Sequence, residues 1–155
     1  MSVPLVRDLM RIGVPTCREN ASLQEAARLM SEAGLGILVV LDEDGEAVGW
    51  LDEAMLARHF AADPEQLTAG AVMDRDIPTT PPDIPAATAA QIMLDRGLRQ
   101  LFLLHESPGP LRPAAVLTLR ALVRAMAGLP REEGYGVGTP RRSPIDLFRE
   151  RYGLP

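Results

Sequence analysis

The sequence has one cysteine, no lysine and no long apolar run. Cys17 alone cannot form an internal disulfide, and a single thiol suits a reducing compartment, so we expect a cytoplasmic protein. The 16 basic residues, all arginine, are outnumbered by 21 acidic ones, and the net charge of −5 argues against nucleic-acid binding, which needs clustered cations. The longest apolar run, residues 35–41, is far shorter than the roughly 20 residues of a membrane-spanning helix, and no signal stretch opens the sequence.

Residues that carry catalysis or bind metals are equally scarce. His59 and His105 do not recur at matching positions, and neither has a His, Cys or Glu at helical metal-ligand spacing. No Gly-rich phosphate loop or nucleophile elbow is present, and Cys17 has no C-x-x-C or papain-like context. The acidic stretch 42–53 places Ala47 where a calcium loop requires glycine, which favours a hairpin turn. We therefore expect neither a catalytic nor a metal site, and no enzyme activity.

What the sequence does contain is an internal repeat of about 60 residues. A constant shift aligns Met30 with Met93 and Gly34 with Gly97, and after three extra residues in a turn Asp52 aligns with Thr118. The boundaries that we predict are 3–62 for the first repeat, 63–127 for the second and 128–155 for a tail.

Each repeat shows the same order of elements. In the first, Ser22 and Glu25 form an S-x-x-E capping box, the apolar spacing that follows predicts an amphipathic helix, and Gly34 is placed to end it. A buried strand, a hairpin turn, a second strand and a second helix follow, over residues 36–41, 42–45, 47–51 and 53–60. The second repeat predicts a helix over 84–96, strands over 98–105 and 114–119, and a helix over 120–126. One such unit cannot cover both faces of its sheet, so we expect the two units to pack together.

The repeat and the motifs "VRDLM", "SLQEAARLM", "LGILVVLDEDGEAVGWL" and "AAVLTLRAL" resemble a tandem CBS domain, named after cystathionine β-synthase and also called a Bateman module. The resemblance covers about residues 3–127. It implies an α+β fold (α/β-like) of two β-α-β-β-α repeats about a pseudo-two-fold axis, with a tendency to form homodimers. It also implies clefts that bind adenosine-containing ligands such as AMP, ADP, ATP or S-adenosylmethionine, and a regulatory role toward an enzyme, transporter or channel.

The family's nucleotide-binding pattern is similar to G-h-h-T-x-x-D, in which the Thr and Asp engage the nucleotide. The second repeat keeps Thr118 but has Ala121 in place of the Asp, while the first has Asp52 and Met55 at these positions. The missing ribose carboxylate would weaken ribose binding by one to two orders of magnitude, since a hydrogen bond to a charged group contributes about 1.5 to 3 kcal/mol. Asp52 would repel a phosphate by about 1 to 4 kcal/mol, so anionic ligands should avoid the first cleft.

The second cleft is therefore the predicted site, although helix capping explains Thr118 and Asp52 equally well. Hydroxyls, guanidinium groups and a helix N-terminus would together suit a phosphate. The candidate ligand-binding residues are Thr79, Thr80, Arg99, Thr118 and Arg120.

Two features leave alternatives open. Trp50 could stack on a base, sit at an interface or pack in the core. In the tail, Ser143 could cap a short helix with Ile145, Phe148 and Tyr152 on one face, and Arg141 and Arg142 could instead reach a cleft. We expect a stand-alone regulatory CBS pair with an unidentified protein partner; the alternative is a dimerisation or scaffold module without a ligand.

Overall fold

The structure, a computed structural model, describes residues 3–105, 108–135 and 152–153. Residues 144–151 of the predicted tail helix lie outside these ranges. The helices are α1 Val6–Leu9, α2 Leu23–Ala33, α3 Glu53–Ala57, α4 Ala69–Val72, α5 Ala86–Arg96 and α6 Leu119–Met126. The strands are β1 Arg11–Ile12, β2 Thr16–Arg18, β3 Ile37–Leu41, β4 Ala47–Asp52, β5 Gln100–His105 and β6 Arg112–Thr118. In the described part of the chain, no helix is both long and apolar enough to cross a membrane.

The local signals at the long helices are confirmed. The Glu25 N–H donates to the Ser22 hydroxyl at 3.1 Å, so Ser22 caps α2 as its sequence context predicts. Gly34 and Gly97 end α2 and α5 in the left-handed region, each with φ of +64°, a conformation that favours glycine. Pro85 is the N-cap of α5, where its missing N–H costs no helical hydrogen bond.

Two three-stranded sheets form, and one of them mixes the repeats. In the first, β2 runs parallel to β3, and β3 pairs antiparallel with β4. In the second, β6 lies between β5 and β1, although β1 precedes the first repeat's own strands. The first sheet has a matching contact with the second repeat. Asp74 forms a single bridge with Trp50 of β4, at the repeat positions where Arg11 pairs with Val116 of β6.

The short N-terminal helix of each repeat is likewise packed in the core of the other. Val6 of α1 is fully buried among second-repeat residues such as Met93 and Leu101. Ala69 of α4, with Met73 just after it, is buried among first-repeat residues such as Met30. Each hydrophobic core therefore depends on residues from both repeats.

A third core lies between the two sheets and joins them. Along the strands, its buried members alternate with residues of the other two cores. The members of this third core are Val14, Ile37, Val39, Ala47, Trp50, Phe102 and Val116. The Trp50 and Phe102 rings meet with centroids 6.0 Å apart and planes tilted by 58°. The Trp50 indole N–H donates to the Asp76 carbonyl at 2.9 Å, so this residue takes the core position among its three alternatives. The predicted α+β fold of two repeats packed face to face is confirmed.

Candidate functional site

In each repeat the last strand is followed directly by a helix, and a side chain caps the helix at this junction. At the end of β6, the Ala121 N–H donates to the Thr118 hydroxyl at 3.1 Å. At the end of β4, the Met55 N–H donates to the Asp52 carboxylate at 2.8 Å. Helix capping is thus the role of both side chains in this structure. The first N–H group of each helix is bonded as well, because the Leu119 and Glu53 N–H groups donate to the Arg99 and Gly36 carbonyls at 3.0 and 3.1 Å.

A cleft of about 240 Å³ opens beside the Thr118 junction. Its walls come from α1 and β1, from α6, and from the chain that follows α6, with Leu35 reaching in from the first repeat. We call it the cationic cleft, because Arg11 and Arg124 line it. Arg120 does not line the cleft, but it forms an ion pair with Glu132, which does.

Glu132 holds these three arginines together. Its carboxylate lies 3.1 Å from Arg120 Nε, 3.9 Å from Arg11 Nη1 and 4.0 Å from Arg124 Nε. The Glu132 side chain is 29% exposed and that of Arg120 is 71% exposed, so water screens the Arg120 ion pair strongly and the other two in part. Of the buried side-chain nitrogens and oxygens described, Arg124 Nε is the one without a hydrogen-bond partner. Glu132 therefore leaves that donor unpaired, although Arg124 Nη2 donates to the Pro130 carbonyl at 3.0 Å.

Glu132 belongs to a segment that folds back over the N-terminus, residues 129–135, which we call the strap. The Tyr135 N–H donates to the Ile12 carbonyl at 2.7 Å, and Arg11 Nε donates to the Glu133 carbonyl at 2.8 Å. Where the Tyr135 carbonyl crosses Gly13, a side chain at Gly13 would collide with it. The strap thus forms one wall of the cationic cleft and is bonded to the opposite wall.

The corresponding junction of the first repeat carries the opposite charge. Asp52 replaces Thr118 there, and Asp74 takes the sheet position that Arg11 holds in the second repeat. The Glu53 side chain also covers Gly36, where even a Cβ would collide with its carboxylate. Carboxylates and phosphates carry like charges, so the expectation that anionic ligands avoid this junction stays a prediction.

Comparison with known proteins identifies the architecture. A model of the CBS domain matches residues 6–62 and again 69–128. The chain belongs to the CBS domain family. As the two matches follow one another along one chain, it is a CBS pair.

The relatives of this chain differ in length, and the chain spans a different share of each. Arabinose 5-phosphate isomerase KdsD of Pseudomonas aeruginosa is 33% identical over 77% of this chain, which spans only 37% of that enzyme. An uncharacterized 17.7 kDa protein of Acidianus ambivalens is 30% identical over 78% of this chain and 76% of its own length. The CBS pair is thus similar both to part of an enzyme and to most of a small protein.

Solved structures of CBS proteins share the fold. A CBS domain pair in complex with 5′-methylthioadenosine and S-adenosyl-L-methionine superposes with a TM-score of 0.71, at 23% identity, covering 82% of this chain and 98% of that one. A CBS protein in complex with AMP gives a TM-score of 0.65 at 20% identity, with 80% and 96% covered. These likenesses concern the fold.

The five predicted ligand residues of the CBS pair are not all brought together. Thr118 lines the cationic cleft, and Arg120 reaches it through Glu132. Arg99 is exposed, and its carbonyl accepts the Leu119 N–H at 3.0 Å at the start of α6. Their roles in binding stay predictions.

Thr79 and Thr80 lie beside β5 and do not line this cleft. Thr80 is 6% exposed, and its hydroxyl donates to the Pro81 carbonyl at 3.1 Å. That hydroxyl is thus engaged locally, and the ligand role predicted for both threonines also remains untested.

Sequence reasoning missed Arg11, Arg124 and Glu132. Arg124 lies one helical turn after Arg120, so its place on the same face of α6 was readable from spacing. No local signal connects Arg11 or Glu132 with that face, because the exchange of β1 and the path of the strap bring them there.

The other reactive groups of the CBS pair, Cys17, His59 and His105, do not line the cationic cleft. Burial, with a smaller contribution from the Glu25 carboxylate, raises the pKa of the Cys17 thiol from 9.0 to about 11. His59 and His105 are exposed. Among the residues that the structure describes, no cluster of His, Cys, Asp and Glu suited to a metal ion occurs.

Proposed function

We propose that this CBS pair is a regulatory module that binds an adenine-nucleotide-like ligand in the cationic cleft. The observation that carries the proposal is the convergence of Arg11, Arg120 and Arg124 beside the capped N-terminus of α6. Guanidinium groups and a helix N-terminus both favour a phosphate. The AMP, methylthioadenosine and S-adenosylmethionine complexes of CBS proteins with the same fold support the adenosine part of the ligand.

The charge difference between the two junctions supports one anionic ligand per chain. The acidic junction carries Asp52 and Asp74 at the positions of Thr118 and Arg11. The ligand would thus be bound mainly through its phosphate, because Ala121 supplies no carboxylate for the ribose hydroxyls.

Regulation rather than catalysis is part of the proposal. Ligand binding would change the conformation of the module and so modulate the module itself or a separate protein partner. We propose a cytoplasmic location, since one unpaired, buried thiol suits a reducing compartment.

A homodimerisation or scaffold role is the second candidate, and the outer helices favour it. In α3 and α6 no residue is buried, although α6 has a strongly apolar face. Phe60, just after α3, is 92% exposed, and Met126 in α6 is 87% exposed. Exposed apolar residues on both helices suit contact with a second copy of the chain. Light scattering after size exclusion should give a dimer that Met126→Glu weakens.

Binding measurements on charge variants test the ligand proposal. Titration calorimetry with AMP, ATP, S-adenosylmethionine and adenosine would be run on the wild type, Arg124→Ala and Arg58→Ala. Arg58 is the matched control, because it is the repeat counterpart of Arg124 at the acidic junction. Arg124→Ala should weaken AMP and ATP by about tenfold or more, since a charged hydrogen bond contributes about 1.5 to 3 kcal/mol, with little effect on adenosine.

Two outcomes would contradict the proposal. Equal losses for AMP and adenosine in Arg124→Ala would remove the arginine from phosphate binding. No binding of any of the four compounds by the wild type would instead favour the scaffold role.

A further inference from the structure

From the position of Glu132 we infer that its carboxylate occupies the anion subsite of the cationic cleft, so that a phosphate-bearing ligand must displace it and thereby release the strap. The inference rests on the proposed function, because it assigns regulation to the same cleft. It adds a built-in competitor and a segment that moves when the ligand binds.

The first argument is chemical. Three guanidinium groups face one carboxylate, and the other acidic group lining the cleft, Asp8, already accepts the Leu5 N–H at 2.8 Å. Arg124 Nε keeps a distance of 4.0 Å from Glu132 and has no hydrogen-bond partner in the described structure. Buried donors are rarely left unpaired. A phosphate offers three acceptor oxygens and up to two charges, so it matches three arginines better than a carboxylate does.

The second argument is the space available. With the strap in place, the cleft measures about 240 Å³, below the roughly 300 to 1,000 Å³ of small-molecule sites. Part of its wall is the strap itself, including Pro130 and Glu132. We therefore expect the strap to move away when a nucleotide enters.

The third argument links the subsite to the rest of the strap. Arg11 faces Glu132 through Nη1 and holds the Glu133 carbonyl through Nε, at 3.9 and 2.8 Å. When Arg11 turns toward a ligand phosphate, both contacts are lost together. The strap is also held by the Tyr135 N–H on the Ile12 carbonyl at 2.7 Å, by Arg124 Nη2 on the Pro130 carbonyl at 3.0 Å and by Arg131 Nη1 on the Arg7 carbonyl at 3.1 Å. Release of the strap requires these bonds to open as well.

Ligand and strap thus compete for one set of arginines. Coupling of this kind is reciprocal. A change that releases the strap raises the affinity for the ligand, and ligand binding shifts the equilibrium toward the released strap by the same factor.

The test compares the wild type with Glu132→Gln and Glu133→Gln. The control removes the same charge one residue away, from an exposed side chain whose contact with Arg11 is made by its backbone carbonyl. Calorimetry with ATP, AMP and inorganic pyrophosphate gives affinities, and hydrogen exchange of the Tyr135 amide reports strap release. Circular dichroism checks that each variant is folded.

Glu132→Gln should bind ATP and pyrophosphate about tenfold more tightly than the wild type. The ligand no longer has to break three partly exposed ion pairs, each of which contributes less than a factor of about five. Without ligand, its Tyr135 amide should exchange faster than in the wild type. Saturating ATP should speed the same amide in the wild type, whereas Glu133→Gln should behave as the wild type does.

The outcomes separate the inference from the proposed function. Nucleotide binding with equal affinity in all three proteins and an unchanged Tyr135 amide would overturn the inference and leave the function standing. Tighter binding of pyrophosphate by Glu132→Gln, with no binding of any nucleotide, would support the displaced carboxylate and overturn the nucleotide as ligand. No binding of pyrophosphate or nucleotide by any variant would overturn both.

Discussion

Replacing Phe102 by alanine tests whether the two repeats form one cooperative structure. Phe102 lies in β5 of the second repeat, is completely buried, and faces Trp50 of the first repeat across the inter-sheet core. The truncated side chain would leave a void between the sheets that neither repeat can fill alone.

The expected loss is large relative to the stability of a domain. Phe→Ala substitutions in packed cores lower the free energy of unfolding by about 3 to 5 kcal/mol, because transfer and cavity costs add. The tilted Phe102–Trp50 pair falls in the range where aromatic contacts add about 0.5 to 1.5 kcal/mol beyond buried area. At about 2 to 4 °C per kcal/mol for a chain of this size, Tm should fall by roughly 10 °C. Phe102→Leu should lose less than Phe102→Ala, because the leucine side chain leaves a smaller void.

Two spectroscopic probes make the assay specific. Trp50 is the single tryptophan, so its fluorescence follows the inter-sheet core, whereas far-ultraviolet circular dichroism follows the helices of both repeats. Urea unfolding of the wild type and of Phe102→Ala should give the same midpoint by both probes within each protein. Leu94→Ala, on the exposed side of α5, is the control and should change stability by less than about 0.5 kcal/mol.

The reasoning would be refuted by a loss below about 1 kcal/mol for Phe102→Ala. It would also be refuted by separate transitions of fluorescence and circular dichroism in the wild type, because the repeats would then unfold independently.

Three other substitutions or treatments have defined outcomes. Met73→Ala should lower the free energy of unfolding by about 2 to 5 kcal/mol in urea titrations, since Met73 fills the first repeat's core, whereas the exposed Leu94→Ala should change it by less than about 0.5 kcal/mol. Asp52→Ala should lose about 1 kcal/mol in the same titration, and Asp52→Asn only a few tenths, because Asn also caps a helix. The pKa of Cys17 is raised from 9.0 to about 11, which lowers the thiolate fraction at pH 8 by about 100-fold. Iodoacetamide should therefore alkylate the native protein at least about 100-fold more slowly than the urea-unfolded protein. The rate of the native protein should rise as the pH approaches 11.

Contrary results are equally clear. Equal costs for Met73→Ala and Leu94→Ala would contradict the packing of α4 and Met73 in the first repeat's core. An Asp52→Asn variant as unstable as Asp52→Ala would mean that charge, rather than capping, is what Asp52 supplies. Equal alkylation rates for native and unfolded protein would show that Cys17 is neither buried nor shifted.

Local chemistry made much of the fold readable. Ser22 with Glu25, Gly34 and Gly97 mark the ends of the long helices because capping and left-handed glycine act within a few residues. The continuous apolar strands, such as residues 37–41, indicate burial on both faces, which requires a second layer. The repeat then makes the partner layer a copy of the first.

The site was less accessible to such reasoning. The capped junctions at Thr118 and Asp52 follow from the alignment of the repeats, and the basic character of the second junction was visible in Arg120. Arg11 lies far from it in sequence, and Glu132 lies in a Pro- and Gly-rich tail with no periodic pattern.

The sequence by itself determined the two repeats, their helices and strands, and the residue types at each junction, because these depend on periodicity and on contacts a few residues apart. Only the tertiary structure decided that α1 and β1 join the second repeat, that Arg11 meets Arg120 and Arg124, and that Glu132 lies among them. Contacts across more than 100 residues arise from the packing of whole sheets and helices, and no local pattern in either segment records its distant partner.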